Sequence, residues 1–488
     1  MRTLLVIFSF LFPIVFLNSQ QYFNNIVPSE QTAKAFSRVY IDNENYIIPY
    51  IYNSSSGVIT SLIITDNTAK RDIYFGNIKM GLNPLIKVNK NYYLVGENPT
   101  TPEDDKISCA RLSNDLSEQE WYYEYDITGE TTINSGFQNV YDDIYILNVN
   151  YIVPTEPKHR ILQLIKIDTL GNETWSKNYN TDIELSYGWE LLSSRDSNIF
   201  ISAGVHYYDK LGRYAQLTKI DTSGNILWTY KGNEAFDNGA VPTWIAELSN
   251  GDIVMTYYIT EGPTPDVKLI WINESGHFSK QLQIEVPKSE YLFFNQLEAG
   301  RGDYFFAYGT LEYNDDDNVR GIIIKYDNDG NILWKHLYQH PDYTAPDDYN
   351  SIKDIEELDN GDIVVLGDLQ HPGNKNEIWL FKINADGCYG TDDCPEEIIL
   401  SAEDELKINE EIRIYPNPAQ DILYIATHDN VKLLNVTLIA IDGKVISEAK
   451  NIGNTKHSMD VSAIDSGIYF VNVSTENGKV FTRKVIVD

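Results

Sequence analysis

Residues 219–230, KIDTSGNILWTY, decide the fold because the same pattern recurs along the chain. Residues 166–179 read KIDTLGNETWSKNY, 53 positions earlier, and residues 325–338 read KYDNDGNILWKHLY, 106 positions later. Each copy has the order Asp-x-x-Gly-Asn-x-x-Trp between residues typical of β-strands. Glycine suits a turn that needs a positive φ, because it has no Cβ to clash. The pattern therefore predicts a repeated strand–turn–strand unit.

The repeat has an even spacing. If the Asp of the motif is position zero, equivalent positions follow at intervals of 54, 53, 52, 54 and 57 residues: Asn114, Asp168, Asp221, Asn273, Asp327 and Asn384. A weaker match at Thr65 makes seven units. Glycine occupies the third position after zero in five units, and Ser117 stands there in the unit of Asn114. Tryptophan occupies the seventh position in four units: Trp121, Trp175, Trp228 and Trp334.

A second turn signal repeats out of phase with the first. It is clearest in SNGDIVMTY (249–257), GRGDYFFAYG (300–309) and DNGDIVVLGD (359–368), each a tight turn before an apolar strand. Each unit then has four antiparallel strands, A to D, joined by short turns. Seven such units of about fifty residues are typical of a β-propeller. We therefore expect an all-β chain with a seven-bladed β-propeller over residues 20–400, and tryptophans packed between the blades.

The ends of the repeat region predict how the ring closes. The seventh unit supplies strands A, B and C, but CYGTDDC (388–394) follows where strand D belongs. Residues 21–27, QYFNNIV, precede the first A strand and resemble the D strands of other units. We therefore expect this N-terminal segment to complete the last blade. Cys388 and Cys394 are expected to form a disulfide, with a metal site as the alternative, and Cys109 is expected to be a buried strand residue.

Composition limits the classes of partner and the cellular location. The chain of 488 residues has 71 acidic and 38 basic residues, a formal charge of −33. This balance argues against nucleic acid and against anionic membranes, which bind through Lys and Arg. Residues 1–19 read as a cleaved signal peptide, because the apolar run is too short to span a bilayer comfortably. No other segment is apolar enough to span a membrane, so we expect a protein that acts outside the cytoplasm.

The pattern changes after the acidic stretch 401–411, SAEDELKINEE, which is expected to be a linker. Residues 412–488 contain about seven short alternating strands and two hairpin signals, Asp442-Gly443 and Asn477-Gly478. Such a module predicts a small immunoglobulin-like β-sandwich. A carbohydrate-binding or spacer sandwich is one reading of it.

The module also resembles a known family. The matching residues lie in the YPNP run, in the Asp-Gly-Lys hairpin and in the two last strands: Tyr415, Pro416, Asn417, Pro418, Gly443, Gly467, Tyr469 and Lys484. In these residues it resembles the type A C-terminal sorting domain of the Bacteroidetes type IX secretion system. The resemblance implies that the secretion machinery is a partner, and that the protein is released or held at the cell surface.

The repeats themselves resemble the tryptophan-bearing propeller repeats of pyrroloquinoline quinone enzymes. Quinone dehydrogenases of that type carry eight blades and an adjacent cysteine pair, whereas this chain has seven units and no Cys-Cys. The resemblance therefore implies the fold and no quinone. No cofactor is expected, although the acidic turn DNDG (327–330) leaves calcium as an alternative.

The candidate site lies on one rim of the predicted ring. Strand alternation puts the B–C and D–A connections on the same rim, where the longest and most irregular loops occur. The candidate ligand-binding residues are Tyr207, Tyr208, Asp315, Asp316, Asp317, Tyr343, Asp347 and Asp348. Such side chains suit a glycan or a basic protein surface. A polysaccharide hydrolase or lyase, or a structural surface protein, remains as an alternative, and no residue is assigned a catalytic role.

Overall fold

The computed structural model describes most of the chain as β-structure, and no helix occurs in the described ranges. The described residues are 24–27, 33–35, 39–42, 45–54, 57–65, 70–75, 79–98, 106–116, 118–126, 130–132, 137–140, 142–152, 159–181, 185–206, 214–232, 244–259, 266–284, 290–313, 319–371, 376–390, 394, 412–415, 418–420, 422–427, 432–440, 444–450, 452–475 and 480–487. The chain divides into two compact units, Met1–Glu397 and Ile398–Asp488.

The first unit consists of seven antiparallel blades, each a sheet with four strand positions, and one parallel pair, Val319 with Tyr349, joins the sixth and seventh blades into an eight-stranded sheet. The first described strand is β1 (Asn24–Val27). The first blade contains β2 (Ala33–Ala35), β3 (Tyr40–Asp42), β4 (Asn45–Ser54), β5 (Gly57–Thr65) and β6 (Lys70–Phe75), and the second contains β7 (Lys79–Val88), β8 (Asn91–Asn98), β9 (Lys106–Leu112) and β10 (Gln119–Tyr125). The third contains β11 (Glu130–Thr132), β12 (Phe137–Val140), β13 (Asp143–Ile152), β14 (His159–Ile167) and β15 (Glu173–Tyr179). In the first and third blades two short strands share position A.

The remaining four sheets continue the series. The fourth blade contains β16 (Leu185–Ser193), β17 (Ile199–His206), β18 (Tyr214–Ile220) and β19 (Ile226–Lys231), and the fifth contains β20 (Ile245–Glu247), β21 (Ile253–Ile259), β22 (Asp266–Ile272) and β23 (Phe278–Ile284). The sixth contains β24 (Glu290–Ala299), β25 (Tyr304–Tyr313), β26 (Val319–Asp327) and β27 (Ile332–Tyr338). The seventh contains β28 (Tyr349–Glu357), β29 (Ile363–Gln370) and β30 (Asn376–Ile383), together with β1. From the second sheet to the seventh, successive A strands contact one another. The unit is a seven-bladed β-propeller, which confirms the predicted fold.

The N-terminal strand closes the ring, as the sequence predicted. Strand β1 pairs antiparallel with β30, from Asn24 opposite Phe381 to Val27 opposite Ile378, and so takes position D of the seventh blade. The indole Nε1 of Trp379 donates a 2.6 Å hydrogen bond to Asn24 Oδ1. Val27 is buried in the apolar core between the seventh and first blades. The two ends of the propeller are therefore joined without a covalent bond.

Apolar layers between neighbouring blades hold the ring together. Successive side chains of a strand point to opposite faces, so each central strand supplies residues to two layers. In the third blade Tyr145, Leu147 and Val149 of β13 belong to the layer shared with the fourth blade. Ile144 and Ile146 of the same strand belong to the layer shared with the second blade. Near-continuous burial of these strands explains why their sequences lack the polar alternation of a half-exposed sheet.

The fixed spacing of residues within the repeated motif is explained by the turn that they form. Asp221 Oδ1 accepts hydrogen bonds from the backbone N–H groups of Ser223, at 2.9 Å, and Asn225, at 2.8 Å. Its Oδ2 accepts a third, from the side chain of Asn225 at 2.9 Å. Asp168 and Asp327 make the same three contacts, and Asn273 and Asn384 make the two backbone contacts through Oδ1. Position zero is therefore the side chain that closes the C–D turn.

The tryptophan of one blade locks onto the turn of the next. Trp228 Nε1 donates to the carbonyl oxygen of Glu274 at 3.0 Å, and a Cβ built on Gly276 would lie 2.6 Å from the indole ring. Trp334 repeats this arrangement with Ala385 and Gly387. The motif glycine is thus required both by its positive φ and by the indole lying against it. The four predicted tryptophans are half-buried, so truncation should cost less than at a fully buried site.

Two units depart from the repeat pattern. In the second, the turn hydrogen bond runs from Leu116 N to Ser113 O, and Leu116 has φ +60°. Position zero is therefore Ser113, and the predicted assignment of Asn114 and Ser117 was wrong by one residue. The turn of this unit is one residue longer than the others, since Ser113 N donates to Glu118 O whereas Asp168 N donates to Asn172 O. The error arose because Asn114 resembles the motif, while a serine hydroxyl can close the same turn.

In the fifth unit the indole comes from the neighbouring strand. Lys280 stands at the seventh position after Asn273, and Trp271 of β22 pairs with it across the sheet. Trp271 Nε1 donates to Asn328 O at 2.9 Å, the bond that Trp228 and Trp334 make elsewhere. The inter-blade contact is therefore kept although its residue has moved from strand D to strand C.

The second unit is an immunoglobulin-like β-sandwich. One sheet contains β31 (Ile412–Tyr415), β32 (Ile422–Thr427) and β35 (Lys456–Asp460); the other contains β33 (Leu433–Ala440), β34 (Val445–Lys450), β36 (Gly467–Thr475) and β37 (Val480–Val487). Both sheets supply one core, with Leu423 and Ile425 from the first and Val436, Val471 and Val485 from the second. The alternating strands of residues 412–488 thus form the predicted fold.

The cysteines lie where the seventh blade would otherwise continue. Cys388 and Cys394 form a disulfide across six positions of sequence. Cys388 is buried, and its backbone N–H donates to Asn384 Oδ1 in the last C–D turn. The bridge constrains a tight loop directly after β30, beside which β1 takes position D. Cys109 is a buried free thiol, and burial raises its pKa far above the usual range.

Candidate ligand-binding rim

In the sixth and seventh blades, the described ends of two B–C connections and one D–A connection lie together. Asp348 ends the connection from the sixth blade to the seventh, and His371 begins the B–C connection of the seventh. The two side chains are in contact. Val319, which ends the B–C connection of the sixth blade, donates its N–H to Asp348 O at 3.0 Å. Residues 339–350 with His371 and Glu377 are here called the rim cluster.

Five of the eight candidate ligand-binding residues cannot be placed. Tyr207, Tyr208, Asp315, Asp316 and Asp317 lie outside the described residues. Strands β25 and β26 flank the segment of the three aspartates, and Val319, the first residue of β26, donates its N–H to Asp348 O. Tyr343, Asp347 and Asp348 are described, and all three belong to the rim cluster.

A tight turn positions the carboxyl group of Asp348. Asp348 N donates to Ala345 O at 3.1 Å, Pro346 follows as the second residue and Asp347 has φ +64°. Proline followed by a residue of positive φ is typical of a type II turn. The Ala345 N–H returns a 2.8 Å hydrogen bond to Asp348 Oδ2. The turn therefore directs the Asp348 side chain inward and leaves Asp347 exposed.

Asp348 and His371 form a tightly held pair. Asp348 is fully buried, and its Oδ1 lies 2.6 Å from His371 Nδ1. A buried carboxylate needs hydrogen-bond partners, and here both oxygens have one. In the neutral imidazole the shared proton is assigned to Nδ1, so Nε2 carries the lone pair. The side chain of His371 is 34% exposed, and Nε2 has no hydrogen-bond partner among the described residues.

Tyr343 supports the imidazole from one side. Its ring stacks on that of His371 with centroids 4.0 Å apart and planes inclined by 11°. Its hydroxyl donates to Glu377 Oε2, and the tyrosine is almost wholly buried. Burial, together with that hydrogen bond, raises the pKa of Tyr343 well above its usual range. Tyr343 thus stays protonated and acts as a packing surface and not as an exposed ligand contact.

Buried polar groups fix the start of the loop. The Asn350 side chain accepts from His340 N at 2.9 Å and donates to Tyr343 O at 3.1 Å. Gln339 Nε2 also donates to Tyr343 O, at 2.9 Å. His340 is buried near Trp379, and burial lowers its pKa. The loop is therefore held by a dense set of hydrogen bonds, which makes the position of His371 well defined.

Sequence reasoning found part of this cluster and missed its exposed group. Tyr343 and Asp348 were predicted as contact residues but are buried supports. His371 and Glu377 were not singled out. A usable signal existed, because His371 is the first residue of a B–C connection and Asp348 the last of a D–A connection. Those two positions meet on one rim in an antiparallel blade.

In the described part of the chain, no three or more His, Cys, Asp or Glu residues are grouped so that they could hold a metal ion. The acidic turn of residues 327–330 uses its carboxylate internally, since Asp327 accepts from Asp329 N, Asn331 N and Asn331 Nδ2. Asp329 pairs instead with Lys280 of the preceding blade, at 2.8 Å.

The predicted sorting-motif residues are only partly described. Tyr415 is exposed and stacks on Tyr424 at 5.6 Å. Tyr469 donates its hydroxyl to Asp465 O at 2.7 Å, and Gly467 begins β36. Lys484 lies in β37, Pro418 is exposed, and Pro416, Asn417 and Gly443 fall outside the described residues.

Comparison with known proteins assigns the second unit. Residues 413–488 match the family described as the secretion system C-terminal sorting domain. The protein carries a type IX secretion sorting tail. The chain is accordingly exported, and it is secreted or attached at the cell surface. No helix in the described residues is long and apolar enough to cross a membrane.

Other similarities are short or distant. An ulvan lyase, NLR42 of Nonlabens ulvanivorans, is 30% identical over 77 residues, which is 16% of this chain and 14% of that protein. Among solved structures, the polysaccharide lyase Uly1 has a TM-score of 0.47 at 11% identity, covering 77% of this chain and 94% of its own. The propeller of the Trilobed protease from Pyrococcus furiosus gives 0.43 at 13% identity, covering 75% and 98%. These likenesses carry no argument about activity.

Proposed function

We propose that this chain is an exported propeller that binds a glycan through the rim cluster and the loops around it. Residues 1–19 would be the export leader, 20–400 the propeller, 401–411 a linker and 412–488 the sorting module. One observation supports the binding role most directly. A partly exposed imidazole, whose Nε2 has no hydrogen-bond partner among the described residues, is held in place by a buried carboxylate and a stacked tyrosine.

The chemistry of the rim cluster suits sugar hydroxyl groups. His371 Nε2 can accept a hydrogen bond from a hydroxyl, and the exposed carboxylate of Asp347 can accept another. Preorganised polar groups cost little entropy on binding, since neighbouring residues already fix them. A protein surface is the other ligand class that the sequence allowed. The small set of directional acceptors favours a glycan over a broad protein interface, which usually has an apolar centre.

Charge narrows the class of glycan. The formal charge of −33 opposes the approach of sulfated or uronate-rich polymers. The similarity to an ulvan lyase covers only 16% of this chain, so it does not support ulvan as the ligand here. We therefore expect a neutral or basic glycan as the ligand.

The test uses residues 20–488 against immobilised neutral, basic and sulfated glycans. We expect binding to a neutral or basic glycan, with at least a tenfold loss of affinity in His371→Ala. The matched control is His277→Ala, an exposed histidine in a C–D turn on the opposite rim. Retained affinity in His371→Ala, or preferential binding to sulfated glycans, would contradict the proposal.

A second candidate is an extracellular hydrolase or lyase acting on a polysaccharide. The Asp348–His371 pair favours it, because a carboxylate behind an imidazole orients the ring for proton transfer. A purely structural surface protein is the third reading, and it would use neither His371 nor the rim.

A further inference from the structure

The rim cluster contains the two groups that general-base catalysis requires, a base and a group that orients it. His371 Nε2 is the base, partly exposed on the rim. Asp348 orients it through a 2.6 Å contact to Nδ1. Asp348 is itself fixed by the Ala345 N–H and is wholly buried, so its carboxylate has no free oxygen to offer a ligand. The proton-accepting group of the pair is therefore Nε2 alone.

The reaction class follows from what the cluster contains. Hydrolysis of a glycosidic bond uses two carboxyl groups on either side of the bond. The cluster holds four carboxyl groups: Asp348 is bonded to His371, Glu377 accepts the Tyr343 hydroxyl, and Asp342 and Asp347 are exposed. Among the described residues neither Asp342 nor Asp347 contacts His371, so no carboxyl group stands beside Asp348 as its partner across a bond. β-Elimination needs a uronate substrate, which the acidic charge of the chain disfavours. Activation of water for attack on an ester needs only an oriented imidazole.

We propose that His371, oriented by Asp348, acts as general base in hydrolysing O-acyl esters on the glycan that the rim binds. The inference rests on the proposed glycan-binding function. Nε2 takes a proton from water as the water oxygen bonds to the acyl carbon. The bond between that carbon and the sugar oxygen then breaks, and the proton passes from Nε2 to the leaving oxygen. One ester and one water give one carboxylic acid and one free sugar hydroxyl.

Tyr343 has a positioning role in this scheme. Its ring covers one face of the imidazole, and its hydroxyl is held by Glu377. It can therefore keep the ring from rotating without taking part in proton transfer. Asp348 is likewise a positioning residue, because it touches His371 and no ligand.

The experiment measures acetate released from an O-acetylated neutral polysaccharide, and the hydrolysis of p-nitrophenyl acetate, by residues 20–488. We expect His371→Ala to lower kcat/KM at least a hundredfold while His277→Ala leaves it unchanged. Added imidazole should restore much of the rate to His371→Ala, because it replaces the missing base. Asp348→Asn should lower kcat more than it raises KM. Calorimetric Tm values identify any variant that fails to fold.

The outcomes separate the two proposals. Hydrolysis that is absent, equal in His371→Ala, or not rescued by imidazole in the folded variant overturns the catalytic inference. If glycan binding persists in that case, the proposed binding function stands and the cluster is a binding site only. If neither binding nor hydrolysis occurs, both proposals fail. In that case the Asp348–His371 contact only joins two loops, and removing it would lower Tm without any other effect.

Discussion

At the scale of single residues, the repeat is explained by one side chain that closes a turn. Asp221 accepts three hydrogen bonds within five residues, and Asn273 and Asn384 accept the backbone pair through the same oxygen. Aspartate and asparagine are interchangeable here because both offer an acceptor to the backbone at the same distance. The exchange of Asp and Asn among the units is thus chemically conservative.

We predict that Asp221→Ala lowers the free energy of unfolding by roughly 1–2 kcal/mol, since the turn N–H groups lose their acceptor. Asp221→Asn should change it by less than about 0.5 kcal/mol at neutral pH. Urea denaturation of residues 20–488 measures both. A large loss in the asparagine variant would show that charge, and not the acceptor, closes the turn.

The same residues predict how stability depends on acid. Hydrogen bonds from the backbone and side chain of Asn225 lower the pKa of Asp221. At Asp168 and Asp327 partial burial acts upward, but the donated hydrogen bonds outweigh it and the pKa is again lowered. Since the folded pKa lies below the unfolded value of about 3.9, this stability is present above about pH 4 and lost below it. In a variant with asparagine at positions 168, 221 and 327, the free energy of unfolding should fall less steeply as the pH drops below about 4. Urea denaturation at several pH values measures this.

A further residue-scale prediction concerns the turn behind the rim. Asp347 has φ +64°, which costs a residue with a Cβ roughly 1 kcal/mol. Asp347→Gly should therefore keep or raise Tm, whereas Asp347→Val should lower it, because a β-branched residue tolerates this φ poorly. Thermal unfolding measures both. Equal losses in the two variants would mean that the exposed carboxylate, and not the backbone, matters for the turn.

At the scale of elements, an indole of each blade from the second to the sixth packs on the turn glycine of the next blade. Trp228 combines a hydrogen bond to Glu274 O with close packing on Gly276. Strand A contacts and apolar layers also connect the blades, so the indole is one of several inter-blade links. Its position near the outer edge explains why it is half-buried.

We predict that Trp228→Ala destabilises the propeller by about 2–3 kcal/mol, through lost packing and one lost hydrogen bond. Trp228→Phe should cost about 1 kcal/mol, because it keeps most of the packing and loses the donor. The neighbouring Leu227, which is half-exposed, gives the control Leu227→Ala with little effect. Chemical denaturation distinguishes the three. If Trp228→Phe and Trp228→Ala lower the free energy of unfolding equally, packing of the ring does not contribute to stability at this position.

The closing strand yields another prediction at this scale. Deleting residues 20–27 should expose the edge of β30 and the apolar core beneath Val27, so the variant should melt lower and aggregate. Asn24→Ala is the milder change, and it should cost about 1 kcal/mol by leaving Trp379 Nε1 without its acceptor. Calorimetry and light scattering measure the two effects. An unchanged melting profile after deletion would mean that β1 contributes nothing to closure.

At the scale of the whole molecule, two units serve two tasks. The propeller carries the rim cluster, and the sorting tail directs export. The tail has its own core, drawn from both of its sheets. Each unit therefore has the internal packing that an independent module needs.

Removing residues 412–488 should stop export of the propeller without unfolding it. We expect the truncated chain to accumulate inside the outer membrane with the Tm of the full propeller, whereas a reporter fused to residues 401–488 should be exported. Cell fractionation and calorimetry measure these outcomes. Export of the truncated propeller at the normal level would show that residues 412–488 are not the export signal.

The sequence by itself determined the ring and the tail. Turn chemistry is local, so Asp-x-x-Gly-Asn and Asn-Gly signals gave the number of blades, the strand order and the closure by residues 21–27. Only the tertiary structure showed that Trp271 replaces the missing tryptophan of its unit, and that Ser113 closes the second turn. It alone brought His371 to Asp348, because that contact joins two loops whose spacing depends on how the blades pack, and no local pattern specifies such a distance.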